Sequence, residues 1–294
     1  MTHDVIIIGG SYAGMAAALQ LVRAHRRVLI IDAGQRRNRT ASHAHGFLGQ
    51  DGVDPAEIAA QARAQLMLYP TLTWVAGAAV ALAGVRDDFT VTTDAGAVYA
   101  ARRVIFAVGV ADTLPEIAGL AERWGRHVFH CPYCHGFELA KGRIGVIAAG
   151  PNSLHQAKLL PEWGQVTFFV NGALMLDDAA RADLAARGVT VEEAPISHLD
   201  GAADVVLADG RVLSFAGLFT APANAPASQV AEDFGCDIAE SPFGTMIGTD
   251  QGKQTSVAGV YACGDVARVP HSLSLAVADG AWAGAQVHAG LVFG

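Results

Sequence analysis

Charged residues make up only 16% of this 294-residue chain, against roughly 25% in ordinary globular proteins, and that scarcity excludes a disordered chain and long solvated helices. Basic residues are fewer still: 20 Lys plus Arg against 28 Asp plus Glu leave a net charge of -8. A nucleic-acid surface needs a basic stripe, and Arg36, Arg37 and Arg39 form only a short local cluster, so no nucleic-acid partner is expected. Long apolar runs are missing too. No stretch approaches the roughly 20 apolar residues of a membrane span, and Asp279 and His288 interrupt the Ala-rich C-terminal region. Met1-Thr2-His3-Asp4 has no basic leader, and Val5 to Ile8 is too short for the apolar core of an export signal. A soluble, cytoplasmic protein is the expectation, and there four cysteines do not suggest a structural disulfide framework. Cys236 and Cys263 stand alone and are expected to pack in the core.

What is present in quantity is apolar surface (52%) and glycine (33 residues), enough for a large core and for close backbone approaches. At about 150 residues per domain, the length suggests two domains. Val5-Ile6-Ile7-Ile8 reads as a strand buried on both faces, followed by the turn Gly9-Gly10-Ser11-Tyr12-Ala13-Gly14 and an Ala/Leu-rich helix from Met15 to Arg23. A second buried strand, Val28 to Ile31, ends on Asp32. Strand, glycine turn, helix, strand and terminal acid form a dinucleotide-binding βαβ unit. The turn brings N–H groups and a helix N-terminus to a pyrophosphate, and the acid takes ribose hydroxyls. In a G-x-G-x-x-G reading Gly9 and Gly14 hold the first and third places, and Ser11 stands at the second.

A degraded copy begins at Ile144: strand Ile144 to Ile147, turn Ala148-Ala149-Gly150-Pro151-Asn152-Ser153, helix Leu154 to Leu160, strand Val166 to Val170. Between the copies, Trp74 to Ala83 and Phe89 to Tyr99 have β character, and Arg103 to Val108 is a buried strand ending at Gly109. Val260-Tyr261-Ala262-Cys263 ends on Gly264-Asp265 and leads into a small-residue helix, Leu273 to Leu291. The expected fold is α/β, with two Rossmann-like, three-layer dinucleotide-binding domains, the second inserted into the first. Residues 1–111 and 222–294 form the first domain, and 112–221 the insert.

The segment with most chemistry is His130-Cys131-Pro132-Tyr133-Cys134-His135-Gly136-Phe137-Glu138. Two thiols separated by two residues can close a small disulfide ring, and such pairs commonly have a depressed thiol pKa. A structural zinc site would need two further ligands, and no second Cys pair or His-rich hairpin supplies them; no metal is expected. Cys-Pro-Tyr-Cys is also a glutaredoxin tetrapeptide, although there it lies early in a thioredoxin fold rather than between nucleotide units. The third reading is a redox disulfide serving a flavin.

The Gly9–Gly14 turn, the Ala107-Val108-Gly109 strand end, Cys-x-x-Cys-x-Gly-Phe and Gly264-Asp265 together resemble the low-molecular-weight thioredoxin reductases over nearly the whole chain. The resemblance implies FAD, held by Gly9, Ser11, Ala13, Gly14, Asp32, Ala33, Arg37, Asn38, Gly109, Gly264 and Asp265. It implies that Cys131 exchanges with the substrate while Cys134 faces the isoalloxazine, and that the protein is a homodimer. It also places His43, His45 and the Gly46–Gly52 loop beside the flavin, with His271-Ser272 in place of an Arg-Gln pair. Trp163 and Trp282 are expected to pack in the core.

Three departures matter. His135 replaces the family's Asp after the second cysteine, Ala148-Ala149-Gly150-Pro151-Asn152-Ser153 replaces its glycine-rich NADPH turn, and Val170-Asn171-Gly172 replaces its basic 2′-phosphate cluster. Pro151 also lacks a backbone donor. Tight NADPH binding is therefore not expected. Cys-x-x-Cys-His-Gly with a weakened nicotinamide site is similar to the dithiol oxidases of the gliotoxin and holomycin type. On that resemblance the substrate is a small-molecule dithiol, and His135, or else His130, with an ordinary pKa near 6.5, takes the thiol proton. The alternatives are a reductase of a thioredoxin-like protein, fed by NAD(P)H or a protein donor, and a non-enzymatic flavin-binding redox sensor.

Overall fold

Val5 to Ile8 and Val28 to Ile31 carry no polar side chain, and both runs are almost fully removed from solvent in the computed structural model, which describes residues 2–294. Met1, where the expected first domain begins, lies outside the described residues. The two runs are adjacent parallel strands, β1 (His3–Ile8) and β2 (Val28–Asp32), joined by helix α1 (Tyr12–Arg23). Ile7 and Ile30 face α1 while Ile6 and Leu29 enter a second core on the opposite face, as a sheet between two layers requires. Helix α2 (Pro55–Leu66) starts where the Asp54 carboxylate accepts from the Ala56 N–H at 2.6 Å, and it leads to β3 (Leu72–Ala76) beside β2. Strands β4 (Ala79–Val85), β5 (Asp88–Thr93) and β6 (Val98–Phe106) form an antiparallel meander, and β6 also runs parallel to β1. Each of the two β-like stretches thus divides in two, at Gly77 (φ 138°) and Gly96 (φ 77°), where left-handed backbone ends one strand before the next begins.

The chain leaves this sheet through β7 (Val110–Thr113) and a short helix α3 (Leu120–Arg123). It then forms β8 (Val128–Phe129), α4 (Pro132–His135), β9 (Arg143–Ile147), α5 (Asn152–Leu159), β10 (Gln165–Phe169), α6 (Asp178–Ala186) and β11 (Thr190–Glu192). A meander, β12 (Ile196–Asp200), β13 (Asp204–Leu207) and β14 (Val212–Ser214), precedes β15 (Gly217–Thr220). Strands β11-β10-β9-β15-β8 form a parallel five-stranded sheet. The return strand β16 (Ala223–Pro226) pairs antiparallel with β7, so the outgoing and incoming linkers lie side by side. After α7 (Val230–Asp233) and the hairpin β17 (Ile238–Ser241) and β18 (Gly244–Ile247), β19 (Val260–Ala262) joins β6 in parallel and completes the first, seven-stranded sheet. The chain is thus an α/β structure with two Rossmann-like units, and both ends of the sequence contribute to the first sheet.

The final helix α8 (Leu273–Phe293) lies against α1 so closely that a Cβ on Gly280 would overlap the Ala13 carbonyl, and one on Gly284 would lie 2.5 Å from the Ala17 carbonyl oxygen. Small residues at this crossing let two backbones meet under the first glycine turn. Among the described residues, no helix is long and apolar enough to cross a membrane.

Candidate active site

The carboxyl ends of β1, β2, β6 and β19 open on one side of the first sheet, at the point where the chain leaves β1 for neighbours on either side. Ligands of open α/β sheets bind at such switch points. A cleft lies there, and the insert forms its opposite wall. Ser11, Ala13, Arg37, Asn38, Gly109, Gly264 and Asp265 line it from the first domain, and His130, Cys131, Cys134 and His135 from the insert. Gly9, Gly14, Asp32 and Ala33 lie outside its walls. Gly9 (φ 104°) and Gly14 shape the turn from behind: a Cβ on the first would overlap the Ala107 carbonyl, and one on the second the Gly9 carbonyl. Asp32 accepts the Gly10 N–H at 3.1 Å, and Ala33 is exposed. Ser11 has φ -85°, an ordinary conformation for an L-residue, so the turn does not need glycine's backbone freedom there.

Arg37 is more committed to its own chain than the sequence suggests. Its guanidinium grips Asp112 at 2.5 and 2.9 Å, meets Asp265 at 3.4 Å and lies 2.9 Å from His271 Nδ1. Asn38 donates to the Tyr12 hydroxyl at 3.2 Å, and that hydroxyl donates to the Pro55 carbonyl at 2.9 Å. Burial pushes the Asp265 carboxyl up, against the pull of His271 and Arg37.

Cys131 and Cys134 are joined as a disulfide, with Cα atoms 5.3 Å apart across the first turn of α4. Pro132 at the first helical position and the Cys134 N–H bond to the Cys131 carbonyl (3.2 Å) set that turn. Gly136 is dictated by Trp163, whose ring carbon would lie 2.5 Å from a Cβ there. Tyr133 meets the same indole edge-on at 5.2 Å. His135 stacks on Phe129 with centroids 4.3 Å apart, and His130 stands edge-on to Phe243 while its carbonyl accepts from Gln156 at 2.8 Å. Burial lowers both histidines to about 4, aided by Arg37 near His130 and by His45 near His135. This corrects the expectation of an imidazole titrating near 6.5: at neutral pH both rings are uncharged acceptors of low basicity. His45 lies between Asp51 (3.5 Å) and Glu138 (3.4 Å), joining the loop of the first domain to the redox segment. His43 and His45 line the cleft, whereas Leu48 at the loop tip is fully exposed.

In the second glycine turn two donors are already engaged by the chain itself. The Ala149 N–H donates to Ser153 Oγ at 2.8 Å, the Asn152 side chain donates to the Pro242 carbonyl of the β17–β18 hairpin, and Pro151 has no donor. Asn171, after the following strand, accepts from the Ile196 N–H at 2.8 Å.

Asp112 and Gln156 escaped sequence reasoning, and neither has a local signal. Trp163 packs beneath the redox turn, and Trp282 departs from the core expectation: it is half-exposed and donates to the Gln251 carbonyl at 2.8 Å.

A family model described as pyridine nucleotide-disulphide oxidoreductase matches residues 3–280. The chain is 33% identical to "Thioredoxin reductase sirT" of Leptosphaeria maculans, over 97% of this chain and 93% of that protein. Among solved structures it is similar to an oxidoreductase from Agrobacterium tumefaciens (56% identity, TM-score 0.97, covering 100% and 99% of the two chains). It is also similar to HlmI (34%, TM-score 0.92, 99% and 93%). The cleft fits the cofactor that this family implies. Asn38 Oδ1, Asp265 Oδ1 and His130 Nδ1 are buried without partners, and all three residues line it. Buried polar atoms are rarely left unpaired, and FAD offers hydroxyl donors along its sugar chains and both donors and acceptors on its ring. On this geometry and these likenesses, the chain belongs to the pyridine nucleotide-disulphide oxidoreductases and is an FAD-dependent disulfide oxidoreductase of the thioredoxin reductase-like kind.

Proposed function

We propose that the protein oxidises a small-molecule dithiol to a disulfide through Cys131 and Cys134, without tight NADPH binding. The carrying observation is the pairing of a disulfide on the cleft wall with a second dinucleotide turn in which the Ala149 N–H and the Asn152 side-chain amide are held by its own chain and Pro151 has no donor. Cys131 takes the substrate and Cys134 faces the cofactor. A substrate thiolate attacks Sγ of Cys131, the S–S bond breaks, and Cys134 leaves as thiolate. The second substrate thiolate then attacks the substrate sulfur of the mixed disulfide, closing the product disulfide and releasing Cys131. Two electrons pass from substrate to enzyme, and two thiol protons are released. His135, held neutral by burial, accepts a hydrogen bond from the substrate thiol and passes its proton to solvent rather than storing it. The chemistry supplied by FAD when bound is acceptance of that electron pair and its delivery to oxygen or another acceptor. Ser11, Ala13, Arg37, Asn38, Gly109, Gly264 and Asp265 would hold it, with Gly9 and Gly14 shaping the turn from behind and Asp32 fixing it through the Gly10 N–H.

Anaerobic titration tests this reading. A small dithiol should bleach the flavin absorbance within seconds, and micromolar NADPH should leave it unchanged. Rapid bleaching by NADPH with none by dithiols would overturn the proposal. It would favour the second reading, reduction of a thioredoxin-like disulfide, which the likeness to several fungal thioredoxin reductases supports.

A further inference from the structure

Behind the cleft, two charges are buried where the reaction uses neither. Lys253 Nζ lies 3.0 Å from Asp279 Oδ2, with side chains only 10% and 13% exposed. The same carboxylate oxygen accepts the Gly264 N–H at 2.8 Å, and the same ammonium donates to the Ala267 carbonyl at 3.1 Å. Gly264 and Ala267 are the first and last residues of a single 3-10 turn, and Asp265 lies within it. The ion pair therefore ties both ends of the turn that presents Asp265 to the cleft. Gly264 fixes the same turn from the other side, since a Cβ there (φ 77°) would lie 2.6 Å from that of Ala13, which lines the cleft.

Buried ion pairs commonly add little stability over apolar residues of the same volume. A Met–Leu pair would fill this space, but it could neither accept from Gly264 nor donate to Ala267. Lys253 also adopts φ 66°, a left-handed conformation uncommon for a lysine. Its N–H bond to Asp250 and the Ala262 N–H bond to its carbonyl (3.1 and 3.0 Å) hold it there.

We propose that Lys253 and Asp279 are positioning residues for the cofactor: they set the Asp265 carboxylate, whose Oδ1 is buried without a partner while Oδ2 meets Arg37. This rests on the reading that FAD occupies the cleft. The test is titration of apoprotein with FAD, followed by the visible circular dichroism of the bound flavin. In Lys253→Met/Asp279→Leu, which leaves no unpaired charge, FAD affinity should fall about tenfold or more and the visible spectrum should change. Lys253→Arg alone, which keeps a cation and donors beside Asp279, should leave both as in the wild type. A double variant with wild-type affinity and spectrum overturns the proposal while leaving FAD binding itself intact. If that variant does not fold, Lys253→Met/Asp279→Asn serves instead, since it leaves no unpaired charge, keeps an acceptor for Gly264 and removes the tether to Ala267; wild-type affinity and spectrum there overturn the proposal equally. A wild-type protein that takes up no FAD would overturn both the proposal and the reading beneath it.

Discussion

Gly136 and Trp163 show how one hydrogen atom sets the redox turn. With 2.5 Å between a would-be Cβ and the indole, Gly136→Ala forces the ring or the helix to move. Overpacking of this kind typically costs about 1–3 kcal/mol. The urea midpoint should fall accordingly, and Trp163→Leu should recover part of it; an unaltered midpoint in Gly136→Ala would show that the turn gives way freely. His130 and His135 make a second residue-scale prediction. Their folded values near 4 lie below the ordinary 6.5, so below pH 6.5 the unfolded chain binds protons that the folded one refuses. Stability is therefore complete above about pH 6.5 and declines as pH falls toward 4. Chemical denaturation across that window should give a flatter slope for His130→Gln and for His135→Phe than for the wild type, and equal slopes would place the acid sensitivity elsewhere. The Cys-x-x-Cys segment was legible because sulfur spacing is local. The histidine values were not, because burial by Phe129, Phe243 and the cleft walls comes from distant parts of the chain.

At the scale of elements, the first βαβ unit could be read in order and in its strands, although α1 begins at Tyr12, three residues before the expected Met15. Its signals, an apolar run, a glycine turn and a terminal acid, all lie within 32 positions. The crossing of α1 and α8 could not, since Ala13 and Gly280 are remote in sequence and their contact depends on the whole sheet between them. It carries a clear prediction: Gly280→Ala, whose methyl would enter the Ala13 carbonyl, should destabilise the protein by about 2 kcal/mol or more. Thermal melts of the variant and of Gly290→Ala, whose nearest neighbour is the movable Tyr261 hydroxyl at 2.8 Å, should separate a backbone clash from a general loss of helix flexibility. Comparable losses in the two would contradict this account. The strand breaks at Gly77 and Gly96 were equally hidden, because β propensity continues across both and only positive φ ends the strand.

The whole molecule is held together across its linkers. Arg37 of the first domain grips Asp112 on β7, 75 residues away, and β7 pairs with the returning β16. A contact of that range leaves no pattern in sequence, although the two-domain plan around it was visible in the repeated βαβ units. Because the cleft is walled by both domains, a ligand bound there stabilises both at once. FAD at 100 times its dissociation constant should add about 2.7 kcal/mol, and Tm should climb with FAD concentration. An apoprotein melting independently of added FAD would argue against binding in this cleft.

Finally, the two remaining sulfurs, Cys236 (4% exposed) and Cys263 (0%), are shut inside the first domain, Cys263 with its thiol pushed up to about 12. Maleimide added to the native protein should therefore find nothing to alkylate while Cys131 and Cys134 are joined, and two sites once they part. Mass spectrometry of the labelled chain would then count turnover intermediates directly, with no correction for bystander thiols.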